Sequence, residues 1–104
     1  MIVTNTENVP NKQIVEILGI ARGSTVRARS IGRDIFAGFK NIVGGEISEY
    51  TKLQAQSREE ALSRMKQDAE QLGADAIVNV RFSTSTIMQG ASEILAYGTA
   101  VKFS

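Results

Sequence analysis

The chain contains no cysteine, no histidine and no tryptophan, and only one proline, among its 104 residues. Without cysteine there is no disulfide scaffold, no zinc–thiolate site and no thiol nucleophile. Without histidine there are no imidazole ligands and no histidine-based triad or proton relay. No run approaches the roughly eighteen apolar residues that a bilayer span needs. Met1 to Pro10 has no basic patch leading into an apolar stretch, so no secretory signal is expected and the cytoplasm is the expected compartment. Charge of one sign is also lacking: 12 Lys and Arg against 11 Asp and Glu leave a net +1. That balance carries no bulk signature for nucleic acid or an anionic membrane, and neither is expected as a partner.

What is present is ordinary globular composition, 42% hydrophobic and 22% charged. At this mass a folded chain exposes about 5,700 Å², against roughly 16,000 Å² unfolded, which supports one modest core. A single domain over residues 1–104 is therefore expected. Met1 to Thr4 is a short β-prone run, and Asn5 to Lys12 supplies turn residues around Pro10. Ile14 to Ser30 reads as extended, with Gly19 and Gly23 predicting a bulge or bend. Ile31, Ile35, Phe36, Phe39, Ile42 and Val43 fall at helical spacing up to Gly44-Gly45. Glu46 to Leu72 is the clearest helix: Ala61, Leu62, Met65, Ala69 and Leu72 form one stripe, Glu60 and Arg64 an i,i+4 pair, and Gly73 a stop. Ala76 to Ser83 and Leu95 to Phe103 alternate as strands, joined by a connection over Ser83 to Ser92. Phe36, Phe39, Phe82, Tyr97 and Phe103 read as core. The order strand-helix-strand-strand predicts an α+β two-layer sandwich, its mainly antiparallel sheet covered on one face by the helices.

One helical layer covers one sheet face, and the other should then read polar. It does not. Val15, Ile17, Gly19 and Ala21 make one side of the first long strand, and Ile14, Leu18 and Ile20 the other. In the last strand, the side opposite Leu95, Tyr97 and Val101 is Ile94, Ala96, Gly98 and Ala100. A large exposed apolar patch is rare on a monomer, so self-association is expected.

Four of the basic residues, Arg22, Arg27, Arg29 and Arg33, fall within a dozen positions. Their guanidinium groups suit bidentate contacts to phosphate or carboxylate. Ser24 and Thr25 add hydroxyl donors. This is neither a Walker loop nor a dinucleotide fingerprint, because Gly19-x-x-x-Gly23 lacks the lysine and the following helix. The competing role for these arginines is pairing with Asp34, Glu46 or Glu49, within a subunit or across an interface. Glu46, Glu49 and Tyr50 stand at the start of the long helix, where carboxylates complement the macrodipole. The candidate ligand-binding set is thus Arg22, Ser24, Thr25, Arg27, Arg29, Arg33, Asp34, Glu46 and Tyr50. No catalytic residue is assigned.

Several stretches together carry a family resemblance: Arg22-Gly-Ser-Thr25, Ile31-Gly-Arg-Asp-Ile-Phe-Ala-Gly38, Lys40-Asn-Ile-Val-Gly-Gly-Glu46, Tyr50, Arg58-Glu-Glu-Ala61, Leu72-Gly-Ala-Asp-Ala76, Val80-Arg-Phe82 and Ala96-Tyr-Gly-Thr-Ala100. In one order over nearly the whole chain, they resemble the YbjQ-like family. The resemblance implies a dodecin-subunit type of β-α-β-β fold, assembled as a homopentamer, with no established activity. Asp75 departs from the family pattern, where Asn is common, and Asn79 stands where a small residue is common. The family also carries a heavy-metal-binding label. Soft metals want thiolate, thioether or imidazole donors, and this chain offers only Met1, Met65 and Met88. The oxygen donors Asp34, Glu46 and Glu49 match no calcium loop. No metal and no cofactor are therefore expected. The expected function is a non-catalytic homo-oligomeric binding or assembly module for a small anionic ligand or a protein partner. The alternatives are an enzyme with an inter-subunit site, or a metal-binding protein as the label has it.

Overall fold

The computed structural model describes residues 1–27, 48–88 and 91–104, with the side chains of Arg27 and of 48–53 outside that description. The helix expected over Ser30 to Val43 and its Gly44-Gly45 stop fall outside the described residues. Four strands and one helix are described: β1 (Ile2–Val3), β2 (Ile14–Arg27), α1 (Ser48–Gln71), β3 (Ala76–Met88) and β4 (Ala91–Phe103). They form a single sheet in the order β1-β3-β4-β2 with α1 on one face. The three long strands are antiparallel neighbours, whereas β1 pairs in parallel with β3, Ile2 beside Ala76 and Val3 beside Ile77. The sheet is therefore mixed, antiparallel in its three long strands as expected and parallel only at β1; the α+β class stands.

Helix α1 is built from good helix formers and buries a narrow stripe of small residues with one methionine among them. Ser57, Ala61, Met65 and Ala69 are buried, and the residues between are mostly charged and exposed. Glu60 and Arg64 approach to 4.0 Å as the expected i,i+4 pair. The helix ends in a Schellman motif, the Gly73 N–H donating to Glu70 C=O at 3.0 Å and the Ala74 N–H to Ala69 C=O at 3.1 Å. Gly73 sits at φ +80°, a conformation in which glycine meets no Cβ penalty. Lys102 Nζ donates to the Gly73 carbonyl at 3.0 Å, tying the helix end to β4.

The stripe lies on equally small strand residues. Ala21, Gly23 and Thr25 of β2 and Ile94, Ala96, Gly98 and Ala100 of β4 are buried on the helix side, with Ile77 and Val80 of β3. Small residues on both partners let the backbones approach closely. A Cβ built on Gly23 would lie 2.3 Å from the Met65 amide nitrogen and 2.5 Å from the Ala61 carbonyl oxygen. This reverses the sequence expectation for β4. The small-residue side is the one beneath the helix, and Leu95, Tyr97, Thr99 and Val101 occupy the open face.

Bulges account for a second reversal. Opposite β4, strand β2 holds one extra residue between Ile14 and Glu16 and another between Ile17 and Gly19. Each shifts the alternation by one. Ile17 and Ile20 consequently share the open face, where they are 71% and 65% exposed, while Leu18 packs with Ala21 toward the helix. Strand β3 carries a bulge of its own between Val78 and Arg81, with Asn79 at φ +54°. Asparagine tolerates that left-handed conformation, which explains a residue that departs from the family pattern. The Asp75 carboxylate accepts the Phe103 N–H at 2.8 Å, a bond an asparagine amide oxygen also accepts.

The stretch 83–92, expected as connection, is largely strand: β3 runs to Met88 and β4 starts at Ala91. Alternating Ser-Thr and Ile-Met residues pair there with β4 out to Met88 and Ala91. The molecule is accordingly long, 56 × 25 × 16 Å, with a radius of gyration of 17.1 Å where a compact chain of this length gives about 13 Å. Two aromatics expected in the core are not buried there. Helix α1 lies over β2 and β4 and scarcely touches β3, so Phe82 is 45% exposed, and Tyr97 on the open face is 36% exposed. Phe103 is half-buried, with Lys12 Nζ 5.8 Å from its ring centroid. Phe36 and Phe39 lie outside the described residues.

Candidate functional site

The antiparallel register places side chains on the open face in cross-strand rows. Tyr97 of β4 stands between Arg81 of β3 and Arg22 of β2; Leu95 between Ser83 and Ser24; and Glu93 between Ser85 and Val26. Toward the other end, Ala76, Val78 and Val101 of this face are buried with Val9 from the segment before β2. Among the described residues, the face is thus covered at one end only. Over its uncovered part, Arg22, Gly23, Ser24, Arg64, Glu93 and Leu95 line a concavity of about 540 Å³. Arg64 reaches it from α1 around the β2 edge, its Nη1 donating to the Ser24 carbonyl. Among the described residues, neither the Arg22 guanidinium nor the Glu93 carboxylate has an ion-pair partner.

The nine sequence candidates divide accordingly. Arg22 and Ser24 line the concavity together. Thr25 does not, because one residue further along a strand points to the other face. It is 2% exposed and its hydroxyl donates to the Ser57 carbonyl of α1 at 3.1 Å. That bond joins strand to helix, so Thr25 serves the fold. Arg27 closes β2 and Tyr50 lies in the first turn of α1, their side chains outside the description. Arg29, Arg33, Asp34 and Glu46 lie outside the described residues. Sequence reasoning missed Arg64, Glu93 and Leu95. The pairing of Ser24 with Leu95 and of Val26 with Glu93 reveals the last two, and the Arg64 bond to the Ser24 carbonyl the first.

Helix side chains also close part of the β2 edge. The Arg22 N–H donates to Asp68 Oδ2 at 3.0 Å, beside the Arg64 bond to Ser24. An edge strand presents backbone groups that need partners, and here α1 supplies two. Asp68→Ala is expected to lower stability by about 1 kcal/mol, the value of a charge-assisted bond in a partly exposed setting. Urea unfolding at fixed protein concentration measures it, with Asp68→Asn retaining most of the loss-free value through its amide oxygen.

A family model described as "Putative heavy-metal-binding" matches residues 1–104. The chain belongs to the YbjQ family. It is 60% identical over 102 residues to a UPF0145 protein of Archaeoglobus fulgidus, covering 98% of this chain and 94% of that one. A UPF0145 protein of Methanosarcina acetivorans is 55% identical over 102 residues, covering 98% and 96%. Among solved structures, a protein with unknown function of the DUF74 family from Pediococcus pentosaceus superposes with a TM-score of 0.63 at 17% identity, covering 100% of this chain and 98% of that one. That likeness extends to the fold.

The YbjQ family description names heavy metals, and the donors of this chain do not fit them. The sequence has neither cysteine nor histidine, which leaves thioethers as the soft ligands. Met65 is fully buried in the helix stripe. Met1 adjoins β1 beside Ala76, and Met88 ends β3, about 40 Å away at 3.3 Å per residue. Within one chain the three cannot meet at an ion. Among the described residues no three carboxylates converge as a metal site either, and no described helix is long and apolar enough to cross a membrane.

Proposed function

We propose that this YbjQ-family chain is a non-catalytic, cytoplasmic binding module that assembles with copies of itself, as a homopentamer by family resemblance, and takes a small anionic ligand on its open sheet face. One observation carries the ligand reading. The concavity on that face is lined by Arg22 and Arg64, and the Arg22 guanidinium has no ion-pair partner among the described residues. A guanidinium on a half-covered sheet suits a phosphate or carboxylate in the bidentate geometry that lysine does not offer. Glu93 on the same rim accepts a hydrogen bond, so a ligand that also bears a hydroxyl or ammonium group fits better than a bare anion.

Assembly is supported by what the subunit leaves outside. Its accessible surface is 6914 Å², against about 5,700 Å² for a compact chain of this mass. Val15, Ile17, Ile20, Val26, Ile87 and Met88 are each more than half exposed. Burying such side chains against a neighbour yields about 25 cal/mol per Å².

Thermal-shift titration with pyrophosphate, citrate and phosphoserine tests the ligand reading. A ligand at a hundred times its dissociation constant stabilises the folded state by about 2.7 kcal/mol. Arg22→Gln is expected to weaken that ligand at least about tenfold, or 1.4 kcal/mol, with the unliganded melting temperature unchanged. Equal shifts in wild type and Arg22→Gln would remove Arg22 from the site.

A further inference from the structure

The open face carries its two signs of charge at opposite ends. One cross-strand row is Arg22, Tyr97 and Arg81, and four positions away along β4 the row is Val26, Glu93 and Ser85. Ser24, Leu95 and Ser83 lie between them without a charge. At 3.3 Å per residue the two charged rows stand about 13 Å apart. Opposite charges on neighbouring strands gain most when they face each other directly. The register withholds that arrangement from Arg22 and Glu93, and neither has another ion-pair partner among the described residues. Both nevertheless line one concavity of about 540 Å³.

Two neighbouring guanidinium groups are engaged elsewhere. Arg81 Nη1 turns toward the Val80 and Asn5 carbonyls, at 3.3 and 3.5 Å. Arg64 donates to the Ser24 carbonyl and lies 4.0 Å from Glu60. Among the described residues of this face, Arg22 is thus the guanidinium left for an anion, and Glu93 the carboxylate left for a donor. Simple ligands satisfy one end and fail at the other. Inorganic phosphate meets Arg22 and leaves Glu93 without a donor. A di- or tricarboxylate brings like charge against Glu93, which is costly. An α-amino acid carries both signs on one carbon, too close together for residues four positions apart.

The uncharged row decides what lies between the ends. Leu95 gives the concavity an apolar floor and Ser24 a hydroxyl. Tyr97 stands beside Arg22, its ring 36% exposed. A sugar ring matches that surface, with C–H groups on its faces and hydroxyls around its rim. Apolar and aromatic side chains take such a face, and a few placed polar groups take the rim. We infer that the concavity takes a phosphorylated sugar, its phosphate on Arg22, its ring over Leu95 and Ser24, and a far hydroxyl donating to the Glu93 carboxylate. Both end contacts are charge-assisted hydrogen bonds, the stronger kind. The inference rests on the anionic-ligand reading above and names the class of ligand.

Isothermal titration calorimetry of the full chain tests this with glucose 6-phosphate, glucose 1-phosphate, ribose 5-phosphate, unphosphorylated glucose and inorganic phosphate. At least one sugar phosphate is expected to bind about tenfold or more tightly than inorganic phosphate, and glucose more weakly than either. Glu93→Ala should weaken that sugar phosphate at least about fivefold, the loss of a hydrogen bond to a charged group. The same variant should hold inorganic phosphate as well as wild type does, or better. Arg22→Gln should weaken both. Circular dichroism melts of the two variants, expected to match wild type, separate a lost contact from a lost fold. If inorganic phosphate or pyrophosphate binds through Arg22 as tightly as every sugar phosphate, the sugar class is overturned and the anionic-ligand reading stands. A sugar-phosphate preference that survives Glu93→Ala overturns the placement proposed here. Binding of no anion at all overturns both readings.

Discussion

Gly23→Ala should destabilise this protein more than alanine at any other described glycine. The new carbon would lie 2.3 Å from the Met65 nitrogen, 2.5 Å from the Ala61 oxygen and 2.6 Å from the Arg64 Cβ. Two of these are helix backbone, which cannot swing aside as a side chain can. Relief requires α1 to lift from β2 by about 1 Å or more, since Cβ contacts below roughly 3 Å do not persist in packed interiors. Lifting the helix would stretch the Asp68 bond to the Arg22 N–H, the Arg64 bond to Ser24 and the Thr25 bond to Ser57. Overpacking in a rigid core typically costs about 1–3 kcal/mol, and the attached bonds place this variant at about 3 kcal/mol or above. A domain of this size loses roughly 4–8 °C per kcal/mol, so its melting temperature should fall by at least about 12 °C at fixed protein concentration. A loss under about 1 kcal/mol would mean that the helix does not sit this close to β2.

Met65→Ala is expected to cost about 2–5 kcal/mol, the range for truncating a fully buried long side chain. Met65 is the largest fully buried side chain in the stripe, packed among Ala21, Ala61 and Ala69, whose own side chains are too short to close the gap. Met65→Leu separates packing from metal ligation. It conserves volume and should cost less than about 1.5 kcal/mol, while removing the thioether. Thermal melting of both variants with and without added copper(I) or cadmium distinguishes the roles. A packing residue gives a large loss for alanine, a small one for leucine and no metal effect in either. A metal-dependent stabilisation lost in Met65→Leu would restore the family's heavy-metal description to this residue.

Helix α1, strand β2 and the proximal part of β3 were legible from periodicity because each is long and locally consistent, whereas the polar distal half of β3 read as a connection. The Ala61, Met65 and Ala69 spacing marked the buried face of α1, and Gly73 its end. Which sheet face lies beneath the helix was not legible. Periodicity separates two sides of a strand without saying which is inside, and in β4 the bulkier set, Leu95 and Tyr97, looked like core. The deciding fact is distance: a helix held close by Gly23 and Ala21 leaves room for Ala96 and Gly98 and none for a tyrosine. Bulges hid the rest, because Ile17 and Ile20 cannot share a face in an unbroken strand. The site was half legible. Arg22 and Ser24 stood out as a local cluster, but Glu93 joins them through the strand register some seventy residues away in sequence, and Arg64 through the packing of α1 some forty residues away.

The two irregularities in β2 also bear on how this fold tolerates insertion and deletion. Ile14 and Glu16 already face successive partners, Phe103 and Lys102, across Val15. Excising Val15, whose side chain points mostly into water, would leave that correspondence intact and turn no neighbour inside out. Removing Ala21, in the regular part of the same strand, would re-sort every residue on one side of the cut. Homologues one residue shorter before Gly19 are therefore compatible with the same architecture, whereas length changes between Ile20 and Val26 are not.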